Sequence, residues 1–126
     1  MIILLVLISF VKNIFAYNPG TSWRNVYAFA AVKDDGSVVA WGDSTDGGIA
    51  PSGLTNCKTI FSTEKAFACL KTNGSVVAWG SSGHAGNAPS GLTNCKTIFS
   101  AIRAFACLKT DGSVVAWGFS TFYGSI

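Results

Sequence analysis

A chain of 126 residues with 49% apolar residues, 12% charged residues and 14 glycines has the balance of a folded domain, not of a solvated tail. Its net charge of +3 comes from nine Lys and Arg residues scattered without a run. A nucleic-acid binder gathers such charge on one face or helix, so no specific nucleic-acid partner is expected.

The chain opens on the apolar run "MIILLVLISFV", followed by "KNIFA" and "YNPG". The run is too short to span a bilayer and has the length of a signal-peptide core, with Ala16 before the expected cleavage point. Residues 1–16 are therefore read as a signal peptide, and the expected location is secreted, with a cytoplasmic location as the alternative. Two features stand against a leader: no Lys or Arg precedes the run, and Lys12 follows it. The competing reading is a buried strand left from a preceding repeat. No other segment is apolar enough to suggest a stable membrane span.

From residue 17 onward the chain repeats. The phrase "GSVVAWG" stands at Gly36–Gly42, Gly74–Gly80 and Gly112–Gly118, each copy 38 residues after the last. Pro51–Gly80 and Pro89–Gly118 differ at four of thirty positions: Thr63/Ala101, Glu64/Ile102, Lys65/Arg103 and Asn73/Asp111. A more divergent first unit reads "YAFAAVKDDGSVVAWG", and the 38-residue period places Trp23 at the position of Phe61 and Phe99. Units are expected at about 17–50, 51–88 and 89–126. The last closes on the stub "FSTFYGSI".

Within each unit, "CKTIFS", "AFACLK" and "SVVAW" favour short pleated strands. Asp35-Gly36, Asn73-Gly74 and Asp111-Gly112 predict two-residue type I′ hairpins. The Gly-, Ser-, Asn- and Pro-rich "GSSGHAGNAPSG" predicts a loop between units. The expected fold is all-β, a repeat protein of small antiparallel sheets that stack to bury their faces.

The "GLTN" opening, the "LK-x-(D/N)-G" turn and the "VVAWG" close resemble the regulator of chromosome condensation repeat in its short form. The resemblance covers roughly Thr21 to Gly118. Its most specific positions are Gly36, Gly74 and Gly112 and the pairs Trp41-Gly42, Trp79-Gly80 and Trp117-Gly118. It implies blades of a β-propeller, here an incomplete one of about 2.5 to 3 blades, and a protein-binding platform. The founding member of that family is a nucleotide-exchange factor for a small GTPase and binds nucleosomes. Where family members carry Gly and His before the turn strand, this chain has "STEKAFACL" and "AIRAFACL". Two to three units do not close a ring of at least about four blades. Homo-oligomers that complete the ring, or a longer parent protein, are the two ways out.

Chemistry-bearing residues are few. Cys57, Cys69, Cys95 and Cys107 occur as two pairs that fit either disulfides, if the chain is secreted, or small buried hydrophobes. Ala31 stands at the same repeat position as Cys69 and Cys107, which favours buried thiols. The spacing does not suit zinc, so no metal or cofactor is expected. His84, the one histidine, is expected at the surface of a loop with no catalytic partner. No nucleophile elbow or paired carboxylates accompany it, so no enzyme is expected. The three repeat tryptophans are expected in the core. Trp23, Phe119, Phe122 and Tyr123 lie outside the perfect repeat and are the candidates for specific contacts. Asn73-Gly74-Ser75 has the form of a glycosylation acceptor.

The expected function is a non-catalytic protein-interaction module with an unidentified protein partner, its loops varying over a fixed frame. The alternatives are a partial product of a longer propeller gene without independent function, and an exchange factor or chromatin adaptor.

Overall fold

The computed structural model describes residues 11–15 and 24–119. Three antiparallel sheets of three strands follow one another along the chain. The first holds β1 (Val11–Phe15), β2 (Ala28–Lys33) and β3 (Val38–Gly42). The second holds β4 (Cys57–Ser62), β5 (Ala66–Lys71) and β6 (Val76–Gly80), and the third β7 (Cys95–Ser100), β8 (Ala104–Lys109) and β9 (Val114–Gly118). Each sheet is a meander in sequence order. Apart from these strands, the described residues contain two single-turn 3₁₀ segments, Ser44–Asp46 and Ser82–His84, inside the loops that join the units. The all-β repeat is as expected.

Where the repeat period places the first outer strand at residues 19–24, the register places it earlier. Phe15 pairs with Ala30 and Ile14 with Ala31, as Phe61 pairs with Ala68 and Ile60 with Cys69. Phe15, not Trp23, is thus the counterpart of Phe61, eight residues (23 minus 15) ahead of the period. "VKNIF" is a diverged "CKTIF" followed by a longer connection. This strand lies inside the segment read as a leader. Trp23 and residues 1–10 lie outside the described residues.

The phrase "GSVVAWG" begins at a hairpin turn. Its turn is not the expected type I′ loop. Gly36 N donates to Lys33 O at 2.9 Å and Lys33 N donates to Ser37 O at 2.8 Å, while Gly36 alone in the turn takes a positive φ, +83°. That is a type I turn closed by a left-handed glycine and a bulge. Asp35 keeps a negative φ because its carboxylate is used elsewhere. Oδ1 accepts from Ser37 N at 2.9 Å and from Ser37 Oγ at 2.6 Å. Asn73 with Ser75 and Asp111 with Ser113 repeat both bonds.

The closing glycine solves a different problem. At Gly80 (φ +106°) a Cβ would stand 2.7 Å from Lys65 O, and at Gly42 (φ +109°) 2.6 Å from Tyr27 O. The chain crosses directly over the turn of its own sheet there, and only glycine fits.

Stacking builds the core. Strand alternation gives every sheet two faces, and one face of each packs on the opposite face of the next. Ala30 and Val32 of the first sheet meet Ile60, Phe67, Cys69 and Trp79 of the second. Phe61, Ala68 and Leu70 of the second meet Ile98, Phe105 and Cys107 of the third. Phe67, Phe105, Ile60 and Ile98 are fully buried, each contributing about 1.5–3 kcal/mol.

Candidate interaction surface

The residues that vary between units converge along one rim. After each Trp-Gly pair the chain returns to the turn between the first two strands. Asp43 N, Ser81 N and Phe119 N donate to Tyr27 O, Lys65 O and Arg103 O. The variable turn and the variable loop of one unit therefore lie side by side. The turns are also linked between units, since Val26 N donates to Glu64 O (3.3 Å) and Glu64 N to Ile102 O (3.1 Å). Residues 26, 64 and 102 form one row along the rim, with Tyr27, Lys65 and Arg103 beside them.

The loops are fixed from below by framework residues. Asn25 Nδ2 donates to Asp46 O and, one repeat later, Thr63 Oγ1 donates to His84 O, both at 2.7 Å. Trp79 Nε1 donates to Gly47 O at 3.0 Å and Trp117 Nε1 to Ala85 O at 3.1 Å. These tryptophans thus tie each unit to the loop of the preceding one. The accepting residues are left-handed, Gly47 at φ +109° and Ala85 at φ +72°. In Ala85 the Cβ makes that conformation cost about 1–2 kcal/mol. Trp79 is buried and Trp117 half-buried, in line with their expected core role. Trp41 is the exception, exposed and stacked on Phe29 at 5.5 Å.

Above this support lies a charged strip. Lys65 Nζ is 3.7 Å from Asp46 Oδ2 and 4.4 Å from the centre of the Tyr27 ring. At the equivalent place one repeat on, His84 and Arg103 replace Asp46 and Lys65, so a cation faces an imidazole. His84 is not the plain surface residue expected from its loop. Its side chain is only 13% exposed, Nδ1 lies 3.1 Å from Ser81 Oγ, and Nε2 lies 3.6 Å from Glu64 Oε2. Burial first, and then the nearby Arg103 cation, hold its pKa below the ordinary 6.5, with Glu64 opposing them. The order serine–imidazole–carboxylate resembles a hydrolytic relay. Yet 3.6 Å is beyond hydrogen-bond reach, and Nε2 has no hydrogen-bond partner among the described residues. The carboxylate does not orient the ring.

The cysteines are paired, which corrects the expectation of buried thiols. Cys57 is joined to Cys69 and Cys95 to Cys107. Plain alternation would put Cys57 on the face opposite Cys69. A bulge between Cys57 and Thr59 brings Cys57 to the core face while Lys58 stays in solvent. The bulge recurs between Cys95 and Thr97. Asn73, of the glycosylation-type triplet, is exposed at the tip of its turn with its side chain bonded to Ser75. Phe119 is exposed with Arg103 over its ring at 5.8 Å, whereas Phe122 and Tyr123 lie outside the described residues. Among the described residues no cluster of three or more His, Cys, Asp or Glu could hold a metal ion. No helix among them is long and apolar enough to cross a membrane.

No protein-family model matches the chain, and no curated protein matches it. Among solved structures the chain is similar to the entire ectodomain of the receptor kinase CR4 from Physcomitrella patens. The TM-score is 0.61 and the identity 23%, over 76% of this chain and 27% of that one. At that identity the likeness is one of fold, and the chain spans about a quarter of the length of that ectodomain.

Proposed function

We propose that the chain is an extracellular, non-catalytic protein-interaction module built from repeats of the regulator of chromosome condensation type, with the rim as its binding face. The observation that carries this reading is the convergence of the variable residues. Glu64, Lys65, Ile102 and Arg103 and the Asp46 and His84 loops gather on one edge, while the frame beneath them is nearly invariant. Binding surfaces commonly consist of such loops held on a rigid scaffold. The two disulfides support an oxidising compartment, and the fold likeness to a receptor ectodomain points the same way.

The test has two parts. The full chain, expressed through a secretory pathway, is expected to show no thiol open to alkylation until it is reduced, and four afterwards. It is then screened against an array of purified extracellular protein domains. At least one saturable interaction is expected, weakened more than tenfold by the triple variant Glu64→Lys/Lys65→Glu/Arg103→Glu and unchanged by Lys58→Glu on an outer strand. Free thiols in the secreted chain would remove the extracellular assignment. Binding indifferent to the rim variant would remove the rim as the binding face.

A further inference from the structure

Among the described residues, the exposed large apolar side chains belong to the first and third units. Val26, Tyr27, Phe29, Trp41 and Ile49 belong to the first unit, and Phe99, Val114 and Phe119 to the third; the second unit has none. The two end faces are also the two halves of an interface that the chain already makes twice internally.

The outward face of the third sheet carries Phe99, Ala106, Leu108, Val114 and Ala116. These are the same residues, at the same register positions, as Phe61, Ala68, Leu70, Val76 and Ala78, which in the second sheet lie against the third. Phe61 is 4% exposed there and Phe99 is 45% exposed. At the other end the first sheet has Phe29 and Trp41 exposed and Val39 half-buried on one face, around a fully buried Ala31. Their counterparts, Phe67, Cys69, Val77 and Trp79, are the residues that meet the front of a preceding sheet. Three of these four positions hold the same residue type.

We propose that these two faces bind each other between copies: the third sheet of one molecule packs on the first sheet of another, and two molecules close head to tail. The partner is a second copy because this chain carries both complementary halves. A contact between unlike patches propagates until rotation closes it. The described residues form three sheets, so two copies bring six, inside the range of about four to eight in closed rings of stacked sheets, whereas three copies bring nine, outside it. The inference rests on the two internal interfaces and is independent of the extracellular binding role.

Light scattering coupled to size exclusion on the oxidised full chain tests it. The wild type is expected to run as a discrete dimer at micromolar concentration. Phe99→Asp and Trp41→Asp each alter a residue already exposed in the single molecule, so each is expected to stay folded by circular dichroism and to run as a monomer. Mixed, the two variants each retain one intact face and are expected to form a weaker one-to-one complex. A monomeric wild type overturns the proposal, including the case in which only an appended fourth unit covers the third sheet. So does a polydisperse filament, a dimer that survives both variants, or a mixture that stays monomeric.

Discussion

At the scale of single residues, the two rim junctions differ in one respect with a measurable consequence. Between the first and second units Asp46 faces Lys65; between the second and third, His84 takes the place of Asp46 and Arg103 that of Lys65. Burial and then the Arg103 cation depress the His84 pKa in the folded chain, while in the unfolded chain it titrates near about 6.5. As pH falls below that value the unfolded state takes up a proton that the native state refuses. Stability is therefore expected to fall from about pH 6.5 down to the depressed native pKa and to level off below it, as far as this group is concerned. His84 is the chain's one histidine, so denaturant midpoints measured across that range should lose this slope in His84→Gln. His84→Asp recreates the Asp46 arrangement opposite Arg103 and should raise stability at neutral pH by about 0.2–1 kcal/mol, the size of a partly exposed pair. A slope unchanged in His84→Gln would remove His84 as its source; the Asp35 and Asp111 carboxylates, held below their ordinary 3.8 by the bonds from Ser37 and Ser113, add a slope only at lower pH.

At the scale of strands, the disulfide and the bulge act together. The Cys95–Cys107 bridge closes a separation of 12 residues, and loss of such a link costs about 2–3 kcal/mol through the entropy of the unfolded chain. The double variant Cys95→Ala/Cys107→Ala is expected to lose about that much in denaturant unfolding and to keep its circular dichroism. The first unit stands as a natural precedent, with Val11 and Ala31 at the two register positions. A loss near zero would mean that packing of the bulged strand alone holds the hairpin. The strands themselves were legible because β-branched and aromatic runs alternate with Gly-containing turns. Which cysteines stand together was legible, but the choice of disulfide over buried thiol was not, because one extra residue at Lys58 or Lys96 reverses the face of everything before it, and nothing in "NCKTIF" marks a bulge. The turn type was missed for a related reason: Asp-Gly suits a type I′ loop, and the following Ser37, whose N–H and hydroxyl draw the Asp35 carboxylate, shifts the balance to the bulged form. The first outer strand was misplaced because a fixed period cannot anticipate eight additional residues between "VKNIF" and the next strand. The rim was only half legible. Position-by-position comparison found its variable residues, but the crossing of the chain over Lys65 O and Arg103 O, which brings turn and loop together, is a three-dimensional fact.

At the scale of the whole molecule, stability is distributed along one dimension. Each sheet touches only its neighbours, so the central sheet holds two interfaces and each end sheet holds one. Phe61 and Phe99 probe this directly. They are the same residue at the same register in neighbouring units, one 4% exposed between two sheets and the other 45% exposed on the end of the stack. Phe61→Ala removes a side chain enclosed by the third sheet and is expected to cost about 3–5 kcal/mol, including the cavity it leaves. Phe99→Ala, measured at a concentration low enough to keep the chain monomeric, removes atoms that already face water and is expected to cost under about 1 kcal/mol. The asymmetry also has a local form. Amide exchange in β5, at the centre, is expected to require the full unfolding free energy, whereas exchange in β8 and β9 proceeds by detachment of the third sheet alone. Phe61→Ala should therefore speed exchange in β8 and β9 more than in β2, because the interface it weakens is the one that holds them. Equal costs for the two alanine variants, with exchange accelerated uniformly across all three sheets, would instead describe a single cooperative core in which position along the stack carries no energetic weight.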